Sequence, residues 1–214
     1  MNLPHVLYCR SIREARYEAV KFIMEHGKYR RDQRGERTKY VRNLLICIPG
    51  EKCELSSDPL QARLGIDFKM GLTDDETAEE RGNSFEYAYG WELREDNALE
   101  KTIKLLRNDP ETRRACIPIF KPRHVGKEEI PCFCTLVFDV EDDVLNETAF
   151  GRSNENVIAM QNDAYGFGGG LLPWMAEQLG YGVGDYVQHI VNAHVRLDSE
   201  GDLINEILSE GAVV

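Results

Sequence analysis

Two hydrophobic periods alternate along this chain, and a chain that switches between them in sequence order builds neither a pure helical bundle nor a pure β-sandwich. Residues 11–26, SIREARYEAVKFIMEH, put Ile12, Ala15, Ala19, Phe22 and Ile23 at helical spacing, with Gly27 where a helix would stop. LLICI, residues 44–48, is a short apolar run closed by Pro49-Gly50 and reads as a buried strand. From Asp96 the helical period returns, with Leu99, Ile103 and Leu106 on one face and Asp109-Pro110 as the stop. ACIPIF (115–120) and FCTLVFDV (133–140) are β-rich. Residues 162–180 predict a buried helix through Leu171, Leu172, Trp174, Met175 and Leu179, in which Gly168-Gly169-Gly170 implies close packing or a break. YVQHIVNAHVRL (186–197) predicts a strand, and the tail LINEILSEGAVV a short helix. With no internal repeat or low-complexity linker, residues 1–214 are expected to form a single α+β domain, a mixed or antiparallel sheet with packed helices.

Charge narrows the functional classes. The chain carries 26 Lys+Arg against 37 Asp+Glu, a net −11, so it is a poor clamp for a nucleic-acid backbone, and no nucleic-acid polymer is expected as partner. No apolar run approaches the roughly 20 residues of a membrane span, and the start MNLPHVLYCRSIREAR lacks a secretory pattern, so a cytoplasmic address away from any membrane is expected. The six cysteines lack the framework of a small secreted domain and are expected as free thiols. Cys132 and Cys134 form C-x-C with no second cluster at zinc-ligand spacing, so no metal is expected.

Pro131-Cys132, between two strand-like segments, is the candidate nucleophile. A thiolate is the reactive form of cysteine, and positive neighbours favour it. Arginines come as the adjacent pair Arg113-Arg114 after a proline turn, as Arg152-Ser153 at a strand end, and as Arg34 and Arg37 in a basic run over residues 28–42, expected as a loop. Guanidinium forks bind phosphate oxygens bidentately and the Ser153 hydroxyl adds a donor, so their convergence would make a phosphate-monoester site in an otherwise acidic protein.

DNALEKTIKLLRNDPETRRACIPIF, IPCF, AFGRSNEN, NDAYGF and VNAHVR follow one another in the order and spacing of the thymidylate synthase family, and over residues 86–196 the chain resembles its short archaeal-type members. Upstream, EYAYGWELR resembles the family's Tyr-Gly segment, which brings in Tyr89, and YRRDQRGER resembles its N-terminal phosphate loop. The resemblance implies one-carbon transfer to carbon 5 of a pyrimidine nucleotide monophosphate, with Cys132 adding to carbon 6 and 5,10-methylene-tetrahydrofolate or a related tetrahydropterin as donor. It implies a phosphate held by Arg152, Ser153, a basic-run arginine (Arg34 or Arg37), Arg113 and Arg114, the last two reaching the neighbouring subunit's site in a homodimer. Glu155 falls where the family has an acidic residue. Glu54, Glu76 and Glu79 are the candidates for the acid that organises water near the folate.

Two departures stand out. Phe133 follows the nucleophile where the family usually has histidine, and the sugar-binding histidine-x-tyrosine here reads His194-Val195-Arg196. At the base-reading position, uracil-specific members use asparagine and cytosine-specific members aspartate; here Asn162 and Asp163 are adjacent. A gap-free count from Arg152 points to Asp163, a one-residue deletion to Asn162. The greater number of uracil-specific synthases places Asn162 and conversion of deoxyuridylate to thymidylate narrowly first. A cytidylate hydroxymethylase, in which water ends the reaction, is the runner-up. Outside that chemistry stand a non-catalytic nucleotide-binding relative and a Cys-His hydrolase built on Cys132 and His194, which has no recognisable orienting third group.

Overall fold

The structure is a computed structural model that describes residues 4–54 and 87–211; Glu76 and Glu79 lie outside the described residues. Strand β1 (His5–Tyr8) leads into helix α1 (Ile12–His26). Ser11, in extended backbone, accepts from the Glu14 N–H at 3.2 Å and caps the helix, a contact that stabilises it by about 1 kcal/mol. Ile12, Ala15, Ala19, Val20 and Ile23 are buried, as the spacing predicts, and Phe22 packs at the edge of the core.

The basic run is not a loop. Residues 28–42 form the arm of a hairpin, β2 (Lys28–Arg31) against the start of β3 (Arg37–Pro49). Asp32 accepts the N–H groups of Arg34 and Glu36, each at 2.9 Å, and Gly35 takes a φ of 81°, which closes the turn. Cations stack on tyrosines across the strands, Lys39 over Tyr29 at 5.2 Å and Arg30 over Tyr40 at 4.6 Å, so the density of positive charge is met by ring faces.

The sheet has eight strands in the order β1-β3-β8-β6-β5-β4, with β4 (Cys116–Pro118), β5 (Phe133–Glu141), β6 (Val144–Gly151) and β8 (Gly182–Arg196), while β2 pairs with β3 and the two-residue β7 (Asn154–Glu155) with β8. β1–β3, β6–β8 and β7–β8 run parallel and the other pairs antiparallel, so the sheet is mixed. Burial alternates along β3, β6 and β8: Leu44, Ile46, Ala149, Tyr186 and Ile190 face the core, and Leu45, Phe150, Val187 and His189 remain half-exposed on the other face.

The helix expected from Asp96 begins at Ala98, because Asp96 and Asn97 adopt left-handed backbone (φ 56° and 53°); it is preceded by α2 (Tyr89–Arg94) and forms α3 (Ala98–Asn108). The helix expected over residues 162–180 is three pieces: α4 (Ala159–Asp163), a π-helical stretch (Ala164–Leu171) and α5 (Leu172–Leu179). Close packing explains two of its glycines. A Cβ on Gly169 would lie 2.0 Å from the Cys53 carbonyl oxygen, and one on Gly168 2.6 Å from the Tyr186 ring. The tail forms α6 (Gly201–Glu210), against α1. Among the described residues, no helix is long and apolar enough to cross a membrane.

Candidate active site

β5 and β6 bring the two most informative sequence elements together. Phe133 pairs with Gly151, which sets Cys132 and Arg152 side by side just off the strand ends, and the Arg152 N–H donates to the Cys132 carbonyl at 2.9 Å. The Arg152 guanidinium turns back over the approach to the nucleophile: Nε donates to the Pro131 carbonyl and Nη2 to the Ile130 carbonyl, each at 2.9 Å. A Cβ on Gly151 would meet the Phe133 ring at 3.3 Å, so this junction has little room for a side chain.

The Cys132 thiol is pushed up to about 11 by burial first and the Asp163 carboxylate second, against the opposing pull of Arg152, a hydrogen bond from Tyr87 and the charge of Arg196. Cys134 sits two residues on, inside β5, half-buried, its thiol raised by burial against the opposing pull of Arg152. Asp163, at the end of α4, is itself raised well above the ordinary aspartate range by burial, with Glu155 adding. The Asn154 amide lies close enough to Asp163 to favour its ionised form, short of a hydrogen bond of ordinary geometry. Asp163 acts also on Tyr87 and Tyr89. Asn162 is buried beside it, and neighbouring helical residues point about 100° apart.

β7 and β8 carry a second group. Glu155 and His194 are paired across the strands, and Glu155 caps α4, accepting from the N–H groups of Val157, Ile158 at 2.8 Å and Ala159 at 3.0 Å. The Ser153 hydroxyl lies 3.5 Å from His194 Nδ1, whose proton affinity is lowered by burial and by the nearby charges of Arg196 and Arg30. The Arg196 N–H donates to Glu200 at 3.0 Å, and its guanidinium stands 3.7 Å from the same carboxylate. Burial and Glu155 raise Glu200 to about 8.

The remaining arginines take other partners within the chain. Arg34, at the hairpin tip, ion-pairs with Glu129 in the segment that enters Cys132. Arg37 ion-pairs with Asp198 at 2.6 Å. Arg113 and Arg114 are exposed, and Arg114 reaches Asp109 at 3.3 Å. Glu54 is exposed. Arg152, Asp163, Arg196 and Tyr89 therefore interact electrostatically with the Cys132 thiol, Ser153, Glu155 and His194 form a group joined to them through Asp163 and Arg196, and Arg34 is tied to the segment that leads into Cys132.

Sequence reasoning missed Tyr87, Asn154, Arg30 and Glu200. Tyr87 had a signal: Ala88 is extended, so Tyr87 and Tyr89 fall on one side of the chain, and their rings meet edge-on at 5.5 Å. Arg30 had none separating it from its neighbours; with the Asn192 amide oriented to accept, its guanidinium lies 3.2 Å from that oxygen, beside His194.

The description "Thymidylate synthase" belongs to the family whose sequence profile matches residues 72–210. Proteins named as candidate thymidylate synthases align along nearly the whole chain: one from Methanococcoides burtonii is 28% identical over 96% of this chain and 95% of its own length. One from Methanocaldococcus jannaschii is 26% identical over 94% of each, and one from Methanothermobacter thermautotrophicus 28% identical over 82% of this chain and 86% of its own.

Proposed function

Because the chain belongs to the thymidylate synthase family, we propose that it methylates carbon 5 of deoxyuridine monophosphate, with Cys132 as covalent nucleophile. The observation that carries this reading is the meeting of Cys132, Arg152 and Asp163 in one buried site. Sulfur bonding to carbon 6 moves the π electrons of the ring's double bond toward carbon 5, which becomes the nucleophile for the incoming one-carbon unit. The thiol proton leaves to solvent. Carbon 5 would then give up its proton as the bond between the one-carbon unit and the nitrogen of its carrier breaks, and a hydride arriving at the resulting methylene would make it a methyl group, re-form the ring double bond and expel the sulfur as thiolate.

Asp163 supports uracil in an unexpected way. Burial favours its neutral acid, which offers one O–H donor and one carbonyl acceptor, the pattern of an asparagine amide. Such a group donates to O4 and accepts from N3–H. It would take the part first assigned to Asn162. The same position supports a second reading: an ionised Asp163 accepts from the amino group of cytosine, which favours a cytidylate hydroxymethylase.

The residues fit a reduced pterin as partner. Tyr87, Tyr89 and Phe167 give aromatic walls, and Asn154 and Asn156 bury amide atoms that have no partner among the described residues and would suit the edge of a planar heterocycle. When bound, methylene-tetrahydrofolate or a related tetrahydropterin supplies the one-carbon unit and, for methylation, the reducing hydride. Phosphate binding falls to Arg152, Ser153 and Arg34, which would trade Glu129 for the phosphate. The exposed Arg113 and Arg114 suit donation to a second subunit, docked through the half-exposed sheet face of Leu45, Phe150 and Val187. Turnover of deoxyuridylate with methylene-tetrahydrofolate tests the reading: wild type forms methylated product and Cys132→Ser does not, and absence of product from wild type overturns it.

A further inference from the structure

Ile12, Arg16, Val20 and Ile23 share one face of α1, so an arginine stands in the middle of the apolar stripe that packs on the core. Arg16 is only 1% exposed. Taking a guanidinium out of water costs stability that a packed methionine at the same place would not, and arginine is almost never fully buried unless paired. The pairing here is long-range: Arg16 Nη1 donates to Gln161 Oε1 at 2.7 Å and ties α1 to α4. Gln161 is itself fully buried, and among the described residues its amide is held by Arg16 alone, since its Nε2 has no partner.

α4 has five residues, far below the roughly 12–15 that an isolated helix needs, so its orientation is set by what grips it. Glu155 caps its N-terminal end. From β8, Gln188 Nε2 donates to the Met160 carbonyl at 3.2 Å and to the Tyr186 oxygen at 3.1 Å, and the Tyr186 hydroxyl reaches the Asp163 carbonyl at 3.5 Å. These contacts all engage the main chain of α4. Arg16 is the grip from α1, and it engages a side chain. Gln161 and Asp163 are two residues apart, about 200° of helical turn, and project from nearly opposite faces of α4. A rotation that lets Gln161 leave Arg16 swings Asp163 through the same angle.

We propose that Arg16 is a positioning residue for base recognition: by holding Gln161 at the back of α4, it fixes the angle at which Asp163 meets the pyrimidine. The inference rests on the reading of Asp163 as the group that faces the base, whether uracil or cytosine. Hydrogen bonds weaken steeply once the donor angle falls below about 120°, so a modest turn of α4 removes base recognition while Asp163 stays buried in the same place. Arg152 and Ser153 lie between β6 and β7, outside α4, and their hold on a phosphate does not depend on that angle.

The test is calorimetric titration of the full-length protein with deoxyuridylate, deoxycytidylate and base-free 2-deoxyribose 5-phosphate, beside the melting temperature without ligand. Arg16→Met should weaken the nucleotide that wild type prefers by about ten- to hundredfold, narrow the preference between the two bases, and leave the base-free affinity within about twofold. Gln161→Glu, which offers the guanidinium a carboxylate, should keep the wild-type preference. Arg16→Met combined with Gln161→Leu removes both polar groups, so the melting temperature should recover toward wild type while the base preference stays lost. This double variant is the informative one if Arg16→Met alone folds poorly. An unchanged base preference in Arg16→Met or in the double variant overturns the proposal. So does an equal loss of nucleotide and base-free affinity, which marks a general loosening. A wild type that binds neither nucleotide would remove the reading of Asp163 itself, whereas wild-type binding with an unmoved preference in the variants removes this inference alone.

Discussion

The Arg152 N–H donates to the Cys132 carbonyl at 2.9 Å, and the same residue's guanidinium holds the carbonyls of Pro131 and Ile130. One arginine thereby fixes the main chain on both sides of the nucleophile and places a positive charge beside the sulfur. Its guanidinium is directed at two consecutive carbonyls, a rigid fork that lysine cannot reproduce, and its main-chain N–H at the third.

Cys132 and Cys134 are separable by substitution. Cys132→Ser should lose turnover by at least a thousandfold, because the hydroxyl is a far weaker nucleophile, and retain nucleotide-induced thermal stabilisation. Cys134→Ser, two residues on and inside β5, should stay within about threefold of wild type. Steady-state turnover and melting temperature with and without deoxyuridylate measure both; a dead Cys134→Ser beside an active Cys132→Ser would reverse the assignment.

Asp163 makes uracil recognition depend on pH. Its folded-state pKa is raised, so below that pKa it is the neutral acid that donates to O4, and as pH rises through it the donor becomes a second acceptor. Deoxyuridylate affinity should therefore fall at high pH by about ten- to hundredfold, the cost of an opposed buried acceptor. Asp163→Asn should flatten that dependence while preserving binding. Titration calorimetry across pH checks it; an affinity for deoxyuridylate that rises with pH contradicts the neutral-acid account.

Glu92 is a stability prediction. Its carboxylate is fully buried in α2, takes the His124 Nε2–H at 3.0 Å and ion-pairs with Arg123 and with Lys121 at 3.4 Å. His124 Nδ1 accepts the Lys121 main-chain N–H at 3.0 Å, which fixes the proton on Nε2. Glu92→Ala strands buried donors and should destabilise the fold by about 3 kcal/mol in urea denaturation. A loss below about 1 kcal/mol would mean water replaces the carboxylate.

Shared sites predict complementation. Arg113 and Arg114 stand exposed. Mixing inactive Cys132→Ser with inactive Arg114→Ala should recover activity after subunit exchange, since one hybrid site in two would hold both intact groups. Two dead parents that stay dead after verified exchange, or a monomer in sedimentation, count against donation across subunits.

Much of this was legible before the fold. Periodicity located α1, and the resemblance put Cys132 and Arg152 in one site, which strand pairing makes adjacent, whereas at the base-reading position it put Asn162 narrowly first. The hairpin of residues 28–42 was not legible, since charge density masks an alternation whose support comes from rings on the facing strand. Nor was the π-helical stretch, whose glycines answer to Cys53 and Tyr186, far away in sequence.

The central claim is methylation of a uracil nucleotide through Cys132, and competition between two bases tests it most directly. Wild type is given equal deoxyuridylate and deoxycytidylate with methylene-tetrahydrofolate, and the products are resolved by mass. The account predicts a uracil nucleotide heavier by one CH2 group, with the cytosine nucleotide unchanged and product formation lost in Cys132→Ser. A hydroxymethylated cytosine nucleotide, with deoxyuridylate untouched, would contradict it and establish Asp163 as the reader of cytosine.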